Sequence, residues 1–338
     1  MNWQSDFKYA LRSNKDLAEF FGEDFPKTNY PIFIPQKFAQ KIKDFGKDSP
    51  LWKQFLPHID EINITDGLYD PIGDKTHSKG NQLIHRYHNR VLFTPTTICP
   101  ILCRYCFRKN ELTQKDEIFN QNFNEAKNYL SKNTEINEVI FTGGDPLILS
   151  NEKLAGFIQD FSEIKNLKYI RFHSRTPIIL PSRIDEGFLE IMKSSSELFK
   201  RTMLMIHVNH VDEIDHEVES AILQLTDAGV ELFSQTVLLK GVNDNTQALA
   251  HLFTRLSDLK VKPYYLHHPD EVLGAMHFYL GLEEGRRIFH PLHDLLPGWA
   301  LPQYVIDIPG GEGKISAINP EQFEFSGKLL SRHGKVIS

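Results

Sequence analysis

No stretch of this chain approaches the roughly 18–20 consecutive apolar residues that a membrane helix requires, so a membrane protein is not expected. The first residues, Met1-Asn2-Trp3-Gln4-Ser5-Asp6, lack the basic-then-apolar profile of an export signal. Positive charge is not in excess: 38 Lys and Arg face 44 Asp and Glu, a formal charge of −6. That argues against a sequence-independent nucleic-acid surface, which needs a broad basic footprint. Cysteine is scarce too, with three in 338 residues. An odd, small number in a large chain disfavours a disulfide framework, and free thiols without an export signal imply the cytoplasm.

What is present is ordinary in bulk and unusual in one place. Apolar residues make up 41% and charged residues 24%, as in soluble globular proteins of a size that buries a large core. All three cysteines fall in the run Cys99-Pro-Ile-Leu-Cys103-Arg-Tyr-Cys106. A CxxxCxxC triplet offers three thiolates and no protein fourth. Iron–sulfur cubanes usually take four cysteines, so a triplet leaves one iron open to something that is not protein. Zinc held with His85 or His88 is the alternative, although zinc ligands usually come as pairs separated by a longer loop. The triplet alone leaves both open.

Residues 1 to about 75 read as helical and irregular, and Asp66–Gly80 is a loop rich in Asp, Gly and Pro. A rhythm then begins. Short β-rich runs occur at Arg90–Thr94, Glu138–Thr142, Tyr169–His173, Met203–Asn209, Leu232–Leu239 and Pro263–Leu266. Helical patterns at Phe123–Ser131, Asn151–Phe161, Ile184–Ser195, Glu217–Ala228 and Thr246–Leu259 separate them. Such alternation predicts βαβ units and a parallel sheet. The expected fold is α/β, a partial six-stranded (β/α)6 barrel. Residues 1–80 form a helical extension, 81–300 the barrel and 301–338 a short β-rich segment outside it. Functional residues collect at the C-terminal ends of parallel strands. The cysteines, Gly143-Gly144-Asp145, His207, Gln235 and Asp270 all fall at or near such ends.

The triplet after a first strand, followed by Gly143-Gly144-Asp145-Pro146 after a second, resembles the radical S-adenosylmethionine superfamily. Five further segments narrow the resemblance to its lysine 2,3-aminomutases: Arg90-Val91-Leu92-Phe93, Ser174-Arg175-Thr176-Pro177, Gln235-Thr236-Val237, Pro263-Tyr264-Tyr265 and Pro309-Gly310-Gly311-Glu312-Gly313-Lys314. The resemblance implies a [4Fe–4S] cluster on Cys99, Cys103 and Cys106, with S-adenosyl-L-methionine on its open iron. Gly143, Gly144, Asp145 and His207 would lie near that cofactor. Lys314 would hold pyridoxal 5′-phosphate, with Arg90 at its phosphate and Gln235 in its pocket.

For the substrate, the resemblance makes Arg108 the clamp on an amino-acid carboxylate, and Asp270 and Asp307 the pair receiving a distal ammonium. That charge pattern suits L-lysine and implies its isomerisation to β-lysine through a 5′-deoxyadenosyl radical. A 2,3-aminomutase of glutamate or arginine is the rival enzyme, and a non-catalytic zinc or cluster scaffold the rival of another class. The longer relatives hold zinc through a cysteine in the segment here reading Gly241-Val242-Asn243-Asp244-Asn245 and through C-terminal cysteines, all lacking in this chain. The short, zinc-less form resembles the branch supplying β-lysine to elongation factor P. That branch often loses the segment before the pyridoxal lysine, which this chain keeps. An electron donor such as flavodoxin or ferredoxin and a homo-oligomer are the expected partners, with no nucleic acid or membrane.

Overall fold

The computed structural model of the chain describes residues 3–80, 82–112 and 122–318, and beyond them three short strands. Five helices make the N-terminal extension: Trp3–Lys8, Asn14–Phe21, Gln36–Phe45, Pro50–Phe55 and Asp60–Asn63. Serines start two of them, Ser13 accepting the N–H of Asp16 and Ser49 that of Trp52, which satisfies amides that a helix start leaves free. Phe38 packs edge-on against Phe55 at 5.0 Å and Phe21 against Trp52 at 5.2 Å, so aromatic contacts join the short helices into one layer.

The sheet opens with an antiparallel hairpin, β1 (Leu83–Tyr87) and β2 (Arg90–Thr96). Then β3 (Glu138–Gly143), β4 (Tyr169–Ser174), β5 (Arg201–His207), β6 (Glu231–Val237) and β7 (Lys262–His267) follow in parallel, each beside its predecessor. Strands β2 to β7 are the six runs that the sequence predicts. Neighbours in strict chain order make a barrel wall, whereas a doubly wound sheet reverses its order at a switch point. The crossing helices Phe123–Lys132, Asn151–Ser162, Glu186–Leu198, His216–Asp227 and Thr246–Asp258 lie within a few residues of the expected segments.

The sheet does not stop at its sixth parallel strand. The stretch from Gln303 to Ser316, expected outside the barrel, continues it instead, while the short strands Glu324–Phe325, Lys328–Leu330 and Val336–Ile337 form a separate sheet. Strand β8 (Gln303–Ile308) pairs in parallel with β7, and β9 (Gly313–Ser316) turns back antiparallel on β8. Tyr304 anchors β8: its ring is buried against Phe289 and its hydroxyl lies 2.8 Å from Nδ1 of His268. Among the described residues the sheet runs from β1 to β9 and remains an open barrel.

Period-two alternation decides what each strand presents inward. Val91, Phe93, Val139 and Phe141 are buried under the helices, while Leu92, Ile140 and Thr142 face the interior cavity. The outer layer is aromatic. Phe93 meets Phe141 at 5.2 Å and Phe161 at 5.1 Å, and Phe123 meets Phe157 at 4.8 Å. The same alternation turns His173, Met205, His207, Gln235 and His267 inward.

Candidate active site

The barrel encloses a cavity of about 700 Å³ reaching from the strand starts at Arg90 and Lys262 to the cysteine loop above the strand ends. Its lining includes Arg90, Cys99, Cys103, Cys106, Arg108, Gly143, Gly144, Asp145, His207, Gln235, Asp270, Asp307 and Lys314. Every site residue that the sequence singles out therefore meets in one space. His207 and Gln235 are register partners on β5 and β6, which sets them at the same depth.

The cysteine loop leaves β2 and is held against the end of β3. Amide N–H groups of Gly144 and Asp145 donate to the carbonyls of Thr96 and Ile98, each at 2.8 Å. A Cβ on Gly144 would lie 2.3 Å from the Ile98 carbonyl oxygen, and Gly143 has a φ of +109°. These glycines thus permit loop-on-strand packing, a closer constraint than the cofactor approach expected of them. Asp145 is buried and braced. It accepts Ser174 Oγ at 2.7 Å and the amides of Arg175, Thr176 and Leu147 at 2.7, 3.0 and 3.0 Å. The carboxylate so ties β3 to the end of β4, although burial still pushes its pKa above the usual range against those bonds.

All three thiols are free, and burial raises each of them, Cys106 to about 12. After burial, the Cys106 charge contributes most to the rise at Cys99, while the Arg175 cation works against the rise at Cys103. Clustered, half-buried thiols that resist ionisation alone are a donor set that bound cations would complete. Among the described residues no three His, Cys, Asp or Glu side chains gather about a single metal ion. A cubane asks for something different, one thiolate on each of several irons.

The loop's own cations are locked from behind. Arg104 donates to Glu61 through Nε at 2.9 Å and Nη2 at 2.5 Å, and Lys109 Nζ reaches Glu61 at 3.1 Å and the Gly274 carbonyl at 2.8 Å. Glu61 belongs to the N-terminal extension, so that layer positions the cysteines. Arg175 does the same from just beyond the end of β4, bonding the Tyr105 hydroxyl and, at 2.5 Å, Glu213. Neither Glu61 nor Glu213 carries a sequence signal, because each partner is remote along the chain.

Arg108 is buried and its fork is engaged. Nε and Nη2 bind Asp74 Oδ2 at 2.9 and 2.6 Å, and Nη1 binds Thr142 at 3.1 Å. Asp74 also accepts Arg86 at 3.0 Å. Nothing in the sequence marks Arg86, which lies on β1, or Asp74, whose segment Asp66–Gly80 reads as a boundary loop with only its density of aspartates as a visible signal.

At the other side of the cavity, Asp307 and Lys314 are directly opposed across β8 and β9, an arrangement that puts their side chains together. Lys314 Nζ donates to Asp307 at 2.9 Å. Gly310, Gly311 and Gly313 adopt positive φ in this hairpin. A Cβ on Gly73 would lie 2.6 Å from the Gly311 nitrogen, and His77 Nε2 lies 2.9 Å from the Gly311 carbonyl. Asp270 stands nearby, pushed up to about 7 by burial and by the Asp307 charge. Burial keeps the lumen histidines neutral, His207 and His267 near 3, with the cations Arg175 and Lys314 respectively adding to the effect.

The residues present fit the implied groups. Arg90 lies over the Tyr87 ring at 3.9 Å and forms no ion pair among the described residues, leaving a guanidinium available to a phosphate. His173 Nε2 and Arg175 Nε, both on the cavity wall, are buried without a hydrogen-bond partner. Lys314 supplies an amine for an aldehyde.

The chain's sequence leads to the same place. A model of the radical SAM superfamily matches residues 93–253. L-lysine 2,3-aminomutase of Escherichia coli is 36% identical, over 85% of this chain and 83% of that protein. The enzymes of that name from Buchnera aphidicola and Clostridium subterminale are 34% and 35% identical, over 90% and 92% of this chain and 88% and 77% of theirs. No helix among the described residues is long and apolar enough to cross a membrane. With the cysteine triplet and the hairpin lysine sharing one barrel cavity, the chain belongs to the lysine 2,3-aminomutase family of radical SAM enzymes, isomerases that use a [4Fe–4S] cluster, S-adenosylmethionine and pyridoxal phosphate.

Proposed function

We propose that the chain interconverts L-lysine and β-lysine, moving the amino group between C2 and C3. The observation that carries this reading is the pair of carboxylates, Asp270 and Asp307, beside Lys314 in the cavity that also holds the three cysteines. Bound cluster and S-adenosylmethionine supply a radical that removes hydrogen from carbon, and pyridoxal phosphate delocalises the substrate radical. The protein's part is binding, orientation and exclusion of water.

In this reading Cys99, Cys103 and Cys106 hold the cluster, while Gly143, Gly144, Asp145 and His207 shape the neighbouring S-adenosylmethionine site. Arg90 and Gln235 hold the pyridoxal group, and Lys314 anchors it. Arg108 receives the substrate carboxylate, with Asp74 fixing its fork. Asp270 and Asp307 receive the distal ammonium. A guanidinium at one end and two carboxylates at the other select a cationic amino acid and repel glutamate.

Assay of the reduced, reconstituted protein with lysine, arginine and glutamate tests this. Amino-group migration on lysine is expected, and activity on glutamate alone would reject it. An iron-free protein carrying about one zinc would reject the radical chemistry itself. The cytoplasm, a flavodoxin or ferredoxin as donor and a homo-oligomeric state belong to the same reading. So does elongation factor P as recipient of the β-lysine; deletion of this gene should leave that factor without the modification.

A further inference from the structure

Lys314 and the proposed substrate carry the same group, a primary ammonium at the end of a four-carbon stem. Lys314 presents that ammonium 2.9 Å from Asp307, the carboxylate assigned above to the substrate's distal end. The contact is built in, because the two residues are cross-strand partners in the β8–β9 hairpin. Other groups lie farther from Asp307: Arg86 Nη1 at 3.8 Å and His267 Nδ1 at 3.9 Å. Asp307 is buried, and the neighbouring Asp270 adds a second carboxylate to the same corner.

We infer that, in protein lacking pyridoxal phosphate, Lys314 is an internal surrogate for the substrate and fills its distal ammonium site on Asp307. This rests on the assignment of Asp270 and Asp307 to that ammonium. Condensation of the Lys314 amine with an aldehyde exchanges two N–H bonds for a C=N bond and releases water, so the free ammonium is lost. The amine is drawn from Asp307, and the site opens. Cofactor loading therefore precedes substrate binding. The order has chemical value: no substrate occupies the cavity in which a radical is generated until the group that delocalises the substrate radical is in place.

Calorimetric titration of 6-aminohexanoate into the full chain freed of pyridoxal phosphate tests the inference. This probe has lysine's carboxylate and distal ammonium but no α-amine. Lys314→Ala and Lys314→Met are each expected to bind it about tenfold or more tighter than the unaltered chain, the scale of one charge-assisted contact regained. Equal or weaker binding by both variants overturns the surrogate role. If Asp307→Asn still weakens that equal binding, the substrate assignment survives alone. Binding by none of these chains overturns both.

Discussion

Asp270 is the residue whose charge state is most exposed to experiment. With its pKa near 7, it is largely protonated at pH 6 and largely ionised at pH 8. Only the ionised form attracts an ammonium, so kcat/KM for lysine should rise as pH climbs through about 7. Asp270→Asn should flatten that limb of the profile. Asp307→Asn should raise the lysine KM by about tenfold or more through loss of a charge-assisted contact; an unaltered KM would show that Asp307 does not hold the substrate ammonium. Cys99, Cys103, Cys106 and Lys314 were legible because local spacing carries them. Asp74, Glu61 and Glu213 were not, because their partners Arg108, Arg104 and Arg175 lie 34, 43 and 38 positions away, and no local pattern marks such pairs.

Among elements, the crossing helices and β2 to β7 were legible through their periodicity. Strand β1 was not, since Leu83-Ile84-His85-Arg86-Tyr87 puts its apolar pair at one end and shows no alternation. Strand β8 was visible as a strand, but its place in the sheet depends on the burial of Tyr304 and on pairing with β7. The short Asp60–Asn63 helix matters more than its length suggests. Glu61→Ala would leave Arg104 and Lys109 buried without their anion, a change that typically costs about 3–5 kcal/mol. A lowered melting temperature and reduced iron retention should appear together. Gly144→Ala is expected to act through the loop instead. Its Cβ collides with the Ile98 carbonyl, so iron content should fall further than thermal stability.

On the scale of the whole molecule, the cavity joins two sites built on separate parts of the sheet. The cysteines follow β2, whereas Lys314 lies on β9 at the opposite end of the strand order. Their losses should therefore be separable. Cys106→Ala should lose iron and sulfide but keep the pyridoxal absorbance, and Lys314→Ala the reverse. Joint loss in either variant would show that the two sites form only together. The convergence of the cysteines, Gly143, Gly144, Asp145, His207, Gln235 and Asp270 was legible in outline, because parallel strands collect function at one end, whereas Arg90 at a strand start and Asp307 and Lys314 in a segment expected outside the barrel were not. The depth of the cavity was not, since it follows from how nine strands curve.

The contact between Gly73 and Gly311 joins an early segment of the chain to a late one. On the ribosome these segments are separated in time as well as in sequence. A nascent chain exposes its three cysteines long before the hairpin bearing Lys314 has emerged. Until that hairpin docks on the Gly73–His77 loop, the amine that anchors pyridoxal phosphate has no fixed position. The order of synthesis thus leaves the radical-generating half of the molecule waiting for the half that receives the radical, and the site matures from its last strand.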